Sequence, residues 1–185
     1  SVVSIEQAAF SGCLSLSSID IPDSVTNLEM QAFSECRNLT SATLPKGITT
    51  IERSVFANCE NLVNVTIPNG VVTIRAGAFS YCGFESIDIP DSVTKIEGDA
   101  FTFCRHLKSI VIPNSVIEIE NTSAGSGAFW ECAGLISVIL SENLTELQKS
   151  LFKGCSQLAN VYIPKNVANI GVAAFADCDK LSDIY

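Results

Sequence analysis

Short stretches in which apolar and variable residues alternate recur along the whole chain, most of them closed by a proline. In "LTSATLP" (Leu39 to Pro45) and "LKSIVIP" (Leu107 to Pro113) the alternation has the period of two that marks a half-buried strand. Proline has no backbone donor and ends the ladder there. A second apolar segment of the form S-V-T-x-I-E follows, and then A-F-x-x-C, in which Phe and Cys stand three apart. That spacing predicts a short helical or 3₁₀ turn carrying both side chains on one face, too short to be stable alone. Small or flexible residues such as Asn38, Asn61 and Gly134 then return the chain toward the next strand.

The pattern is periodic. Phe recurs at 10, 33, 56, 79, 101, 129, 152 and 175, and a cysteine follows each by three, which accounts for all eight cysteines. All six prolines, at 22, 45, 68, 90, 113 and 164, share one register, with Ser141 in the same place in the sixth copy. The unit S-V-T-x-I-E-x-x-A-F-x-x-C-x-x-L-x-S-I-x-I-P-x is therefore present eight times, over about 1–23, 24–46, 47–69, 70–91, 92–114, 115–142, 143–165 and 166–185. The nine residues "SIDIPDSVT", identical at Ser18–Thr26 and Ser86–Thr94, are a piece of that unit seen across a junction between copies. One strand and one short turn cannot bury their own apolar face, so the copies must stack as an α/β repeat solenoid, a single domain over 1–185. Stacking makes like residues neighbours and predicts a phenylalanine spine inside. Two lapses are local. The fourth copy lacks one residue, so that Phe84 stands where Leu stands elsewhere, and this is expected to kink the stack. The sixth carries five extra residues within "ENTSAGSGAF" (Glu120 to Phe129), a Gly/Ser-rich bulge before the turn.

The strand half of the unit, "LSSIDIP" (Leu16 to Pro22) or "LVNVTIP" (Leu62 to Pro68), has the L-x-x-L-x-L form of leucine-rich repeats. The fuller pattern, I-P-x-S-V-T-x-I-x-x-x-A-F-x-x-C-x-x-L, closely resembles the BspA-type leucine-rich repeats of surface proteins from host-associated bacteria and some parasitic protists. The resemblance covers the whole chain. It implies a right-handed superhelix with a parallel sheet on the concave side and helical or 3₁₀ turns on the convex side. It also implies a cell-surface or secreted protein that adheres to host matrix or to other cells. One departure is visible: the Asn or Cys usual after the strand is replaced by Ser24, Gly47, Gly70, Ser92 and Ser115, with Asn only at Asn143 and Asn166.

Composition narrows the partners. The formal charge is −9, with 20 acidic and 11 basic residues, and the basic ones are scattered. A nucleic-acid footprint needs clustered positive charge, so none is expected. No apolar run approaches the roughly 18–20 residues that span a bilayer, so no membrane insertion is expected. The first residues lack the basic and apolar regions of a signal peptide. The chain opens and closes inside a unit without polar caps, which is the expectation for a fragment of a longer array.

Candidate chemistry is sparse. The cysteines lie 22 to 28 apart and His106 is the only histidine, which is not metal-ligand spacing. Disulfides between adjacent copies are within reach on distance, but each Cys would have two equivalent neighbours in an apolar interior, and free buried thiols are the expectation. His106 has no nucleophile or orienting group fixed by sequence, so no catalytic residue, no metal and no cofactor is assigned and the chain is read as not an enzyme. The ladder Glu6, Glu29, Glu52, Glu97 and Glu120 stacks like charges, which repel. Arg75 interrupts it and is placed to pair with Glu52 or Glu97; lone solvated carboxylates are favoured over a cation site, because calcium needs 6 to 8 oxygens.

The positions left free by packing are the natural readers of a partner. The outward strand residue runs Asp20, Thr43, Thr66, Asp88, Val111, Ile139, Tyr162, Tyr185, polar in four copies and apolar or aromatic in the next four, with Ile136 adding to the second half. A contiguous apolar row marks Val111, Ile136, Ile139, Tyr162 and Tyr185 as a candidate site for a protein or glycan; the bland alternative is that such side chains suit exposed strands. A second cluster, Tyr81, Phe103 and Trp130, fills positions held elsewhere mostly by small or polar residues, and either packs under the inserted bulge or forms a second surface. Sequons occur at Asn38, Asn64, Asn121 and Asn143, of which Asn121 in the bulge is expected to be the most accessible. These readings give a non-enzymatic adhesion module, with a structural spacer or the recognition arm of a larger secreted enzyme as alternatives.

Overall fold

Each regular copy contributes two short strands, and like strands of successive copies pair in parallel one copy apart. The computed structural model describes residues 1–122 and 125–185, and the chain winds as a parallel β-solenoid of about eight turns. Ser18–Asp20, Ser41–Thr43 and Asn64–Thr66 form one part of the main sheet, in the register Asp20↔Thr43↔Thr66. Ser109–Val111, Ser137–Ile139, Asn160–Val161 and Asp183–Ile184 form the other. A second ladder is made by the residues after the proline and includes the four-stranded run Thr50–Ile51, Thr73–Ile74, Lys95–Ile96 and Glu118–Ile119.

The expected helical or 3₁₀ turns are corrected by the structure: among the described residues no segment is helical. Two positions in most copies prevent it, the second residue before the spine Phe and the second after. The first is left-handed at Ala8, Gln31, Ser54, Gly77, Asp99, Ser150 and Ala173, and the second at Gly12, Glu35, Asn58, Tyr81, Phe103, Glu131, Gly154 and Asp177. Left-handed residues do not propagate a right-handed helix, and φ > 0 at the third residue is the requirement of a type II turn. Backbone donors accordingly alternate. Ala9 donates to Glu6 and Cys13 to Phe10 within the turn, while Ala8, Phe10 and Gly12 donate to Met30, Ala32 and Ser34 of the next copy. Phe and Cys three apart are thus the ends of a β-turn, and the polypeptide is an all-β solenoid.

The interior is a set of ladders. The spine rings stack with centroids 5.1–5.8 Å apart and interplanar angles of 2–15°, an offset arrangement favoured by the ring quadrupole. Phe33, Phe56, Phe79, Phe101, Phe129 and Phe152 are fully buried. Beside them run the cysteines. Each Sγ from Cys36 to Cys178 donates to the carbonyl of the preceding copy's Phe, as Cys36 to Phe10 (3.1 Å) and Cys104 to Phe79 (3.1 Å). Burial pushes the Cys59 and Cys104 thiols up to about 12 and Cys178 up to about 11, so these groups act as small apolar donors and not as nucleophiles.

The fourth copy is different. Its turn from Cys82 to the strand is one residue shorter, and Phe84 packs edge-on beside two stacked spine rings, 6.1 Å from Phe79 and 6.3 Å from Phe101. Ser86–Asp88 forms no ladder with Asn64–Thr66 or with Ser109–Val111. Losing about 3.3 Å of chain moves the strand's donors and acceptors out of register with both neighbours. Clefts of about 570 and 340 Å³ flank the segment. The second ladder stays continuous there through Thr73↔Lys95, so the expected kink takes the form of an opening on the main-sheet side only.

Candidate binding surfaces

The main sheet positions its side chains by strict alternation. Inward residues such as Ile110, Val138 and Val161 are buried, which leaves their neighbours facing out. Val111 and Ile139 are direct ladder partners, and Tyr185 N–H donates to Val161 while Ile163 N–H donates to Tyr185, which sets Tyr162 and Tyr185 side by side. Val111, Ile139, Tyr162 and Tyr185 are 54%, 63%, 57% and 70% exposed. The sequence-predicted row is therefore one continuous stripe. Ile136, 52% exposed, lies at the entrance of its strand, in register with Lys108 and Ala159, and widens the stripe without belonging to it. In the first half the same row is polar and self-paired, with Thr43 Oγ1 donating to Asp20 Oδ1 at 2.7 Å.

The aromatic cluster is brought together on the turn side. Tyr81 stacks on Phe103 (centroids 4.6 Å apart, 14° between planes), and Trp130 tilts against Phe103 at 5.4 Å. The Arg105 guanidinium lies 5.3 Å from the Phe103 ring, within cation–π range. Trp130 is half-buried, whereas Tyr81 is 41% exposed. These rings form one wall of a cleft of about 690 Å³, whose other wall is the segment around Asn121, Thr122 and Ser126. Ser123 and Ala124, at the centre of the inserted bulge, lie outside the described residues. Sequence spacing missed that Arg53, Glu97 and Asp99 come to the same cleft; the available signal was the insertion, whose flanking residues Asn121, Thr122 and Ser126 line it.

From Glu29 onward the acidic ladder is satisfied internally. Glu29 Oε2 accepts from Gln7 N–H (2.9 Å) and Glu97 Oε2 from Ala76 N–H (3.0 Å), each from the preceding copy. Arg75 pairs with Glu52 at 3.5 Å, and Lys95 lies between Glu118 (3.4 Å) and Glu120 (2.7 Å), so opposite charge and backbone donors offset the repulsion. Serines take over part of the missing Asn ladder, Ser24 donating to Val2 and Ser92 to Val71, while Asn143 and Asn166 donate to Asn114 and Glu142. With its amide oriented to satisfy both groups, Asn121 donates to the Lys149 carbonyl (3.1 Å) and accepts from Lys149 N–H (3.2 Å). Asn38 and Asn143 donate to Leu14 and Asn114. Asn121 is therefore tied to the next copy and half-buried, whereas Asn64 is exposed. His106 is exposed on the turn before its strand. Among the described residues no three His, Cys, Asp or Glu side chains converge on one point.

Parallel strands in constant register, a stacked aromatic spine and an outward row free to vary define a leucine-rich repeat solenoid, a class that is typically a non-enzymatic scaffold for interaction. The model of the BspA type leucine-rich repeat region, a six-copy model, matches residues 1–84 and again 72–185, and the chain belongs to that family. Three solved structures are similar. The leucine-rich repeat protein of T. pallidum is 29% identical over 90% of this chain and 78% of that one, with a TM-score of 0.78. A leucine-rich repeat protein from Bacteroides ovatus is 28% identical, with 98% and 57% of the two chains covered and a TM-score of 0.71. A leucine-rich cell-surface protein from Faecalibacterium prausnitzii is 26% identical over 99% and 69%, with a TM-score of 0.52. No curated protein matches the chain significantly.

Proposed function

We propose that the chain is a non-enzymatic binding module of a surface-exposed or secreted repeat protein, and that it holds a protein partner on a host or neighbouring cell through the second half of the main sheet. The observation that carries this reading is the stripe Val111–Ile139–Tyr162–Tyr185, of which Val111, Ile139 and Tyr162, inside the array, are each more than half exposed. Interior packing does not require these side chains, because the first half is built on the same inward positions with Asp20, Thr43 and Thr66 in the same row. A contiguous apolar row with two tyrosines has the composition of an interface centre. Membership of a family with cell-surface members supports the location. The triple variant Val111→Ser, Ile139→Ser, Tyr162→Ser tests it in an adhesion assay on immobilised extracellular-matrix proteins and fixed epithelial cells. Binding is expected to fall at least tenfold, about 1.4 kcal/mol or more, with the fold retained. Equal binding by wild type and variant is what a spacer would give and removes the assignment.

A further inference from the structure

We propose that the turn-side cleft over the third to sixth copies is a binding site for a neutral oligosaccharide, with Tyr81 as its stacking platform and Asp99 and Arg53 as its hydroxyl-binding groups. It lies on a different face from the main-sheet stripe and stands independently of it.

The first argument is backbone strain. The position two residues after the spine Phe is left-handed in every copy; Gly12, Asn58, Gly154 and Asp177 are residue types that tolerate it, and Glu35 and Glu131 fill it with a flexible unbranched side chain. Tyr81 (φ 59°) and Phe103 (φ 58°) are bulky residues in the same conformation, which costs an L-residue about 1–2 kcal/mol. Folding alone favours Gly or Asn here. Two aromatic rings in consecutive copies oppose that preference, and strain of this kind concentrates at ligand sites.

The second argument is geometry. Tyr81 has one face against Phe103, of the fifth copy. Its other face is therefore turned toward the third copy, where the equivalent residue is Asn58, and no other ring stacks on it among the described residues. A partly exposed aromatic ring lining a cleft suits the apolar C–H face of a pyranose ring, and the cleft, about 690 Å³, falls within the about 300–1,000 Å³ of small-ligand sites.

The third argument is the polar rim. Asp99 has one side-chain partner among the described residues, Thr102 Oγ1 at 3.3 Å, and Arg53 forms no ion pair among them. A carboxylate offers acceptors only and a guanidinium donors only, so together they satisfy hydroxyls, which both donate and accept. Ser54, Ser126 and Glu97 line the same cleft. Glu97 and Asp99 line the cleft beside the single guanidinium of Arg53, and Glu120 is already paired with Lys95, so the lining is net acidic, which disfavours phosphate, sulfate or acidic sugars.

The test uses the whole chain, isotope-labelled, titrated by NMR with cellotetraose, chitotetraose, xylotetraose and mannotetraose to about 5 mM each. At least one is expected to give saturable shifts at Tyr81, Asp99 and Phe103. Tyr81→Asn installs the residue that the third copy carries at the same φ, so it should lower affinity at least tenfold while leaving Tm equal or higher. Asp99→Asn, also tolerant of that φ, should weaken binding without changing Tm. The main-sheet triple variant should bind the sugar as wild type does, which separates this site from the stripe. The proposal is overturned by the absence of saturable shifts with all four sugars, by shifts that map to the main sheet, or by Tyr81→Asn lowering Tm with affinity unchanged.

Discussion

The two halves of the main sheet share their inward residues and differ in their outward ones. Ile19, Ala42 and Val65 face the core in the first half as Ile110, Val138 and Val161 do in the second, yet Asp20, Thr43 and Thr66 give way to Val111, Ile139 and Tyr162. Between them lies Ser86–Asp88, which pairs with neither side. The difference shows where the solenoid stores its stability. Spine rings, thiol donors and the second ladder run through the junction without interruption, so the outward row contributes little to cohesion and is free to diverge. Each half presents its own surface, and a single missing residue marks the border.

The sharpest challenge to this picture is to remove one spine ring from each half. Phe56→Ala and Phe129→Ala should each cost about 3–5 kcal/mol in urea unfolding, and by equal amounts, because both rings are fully buried between stacked neighbours. A reduced m-value in one variant alone would mean that the halves unfold separately across the junction. A smaller effect is expected from closing the border. Inserting Asn between Gly83 and Phe84, together with Phe84→Leu, restores the length of the copy and should stabilise by about 1 kcal/mol through recovered ladder bonds. Hydrogen exchange of the Ser86 to Ile89 amides should slow accordingly; unchanged exchange would show that length is not what breaks the ladder. The smallest effect concerns the ion pair beside the border, Glu85–Lys108 at 2.7 Å, both ends exposed. The Lys108 hydrogen bond, and then its charge, hold the Glu85 carboxyl below its ordinary 4.5. A depressed carboxylate stabilises above its unfolded pKa and loses that contribution as pH falls through the folded value. The Tm difference between wild type and Glu85→Gln should therefore be present at neutral pH, shrink below pH 4.5 and weaken with salt. A difference that grows on acidification would reverse the assignment.

Much of this architecture was legible in the chain. The registers of Phe, Cys and Pro set which residues stack, and the pairing Asp20↔Thr43↔Thr66 and Ile139↔Val111 follows them. The turn is ambiguous in the sequence because Phe and Cys three apart fit a helical turn and a β-turn equally well. Gln31, Ser54 and Ala173 occupy left-handed positions without being glycine, so nothing local announced the break in helicity. Tyr81 and Phe103 stand out in the sequence by residue type, but their cost and their stacking are properties of the stacked turn. Arg53 and Asp99, in the third and fifth copies, meet in one cleft only because intervening turns superpose.

The sequence by itself determined that one copy makes one turn. Equal lengths are the condition for like residues to stack, and the apolar faces of a single unit cannot be buried any other way. The tertiary structure decided where each donor goes. The N–H of Phe10 bonds to Ala32 and the thiol of Cys36 to Phe10, and partners 21 to 31 residues away exist only once the neighbouring copy is in place. The same non-local rule opens the main sheet at Ser86–Asp88, where a short turn leaves the strand with no partner in register.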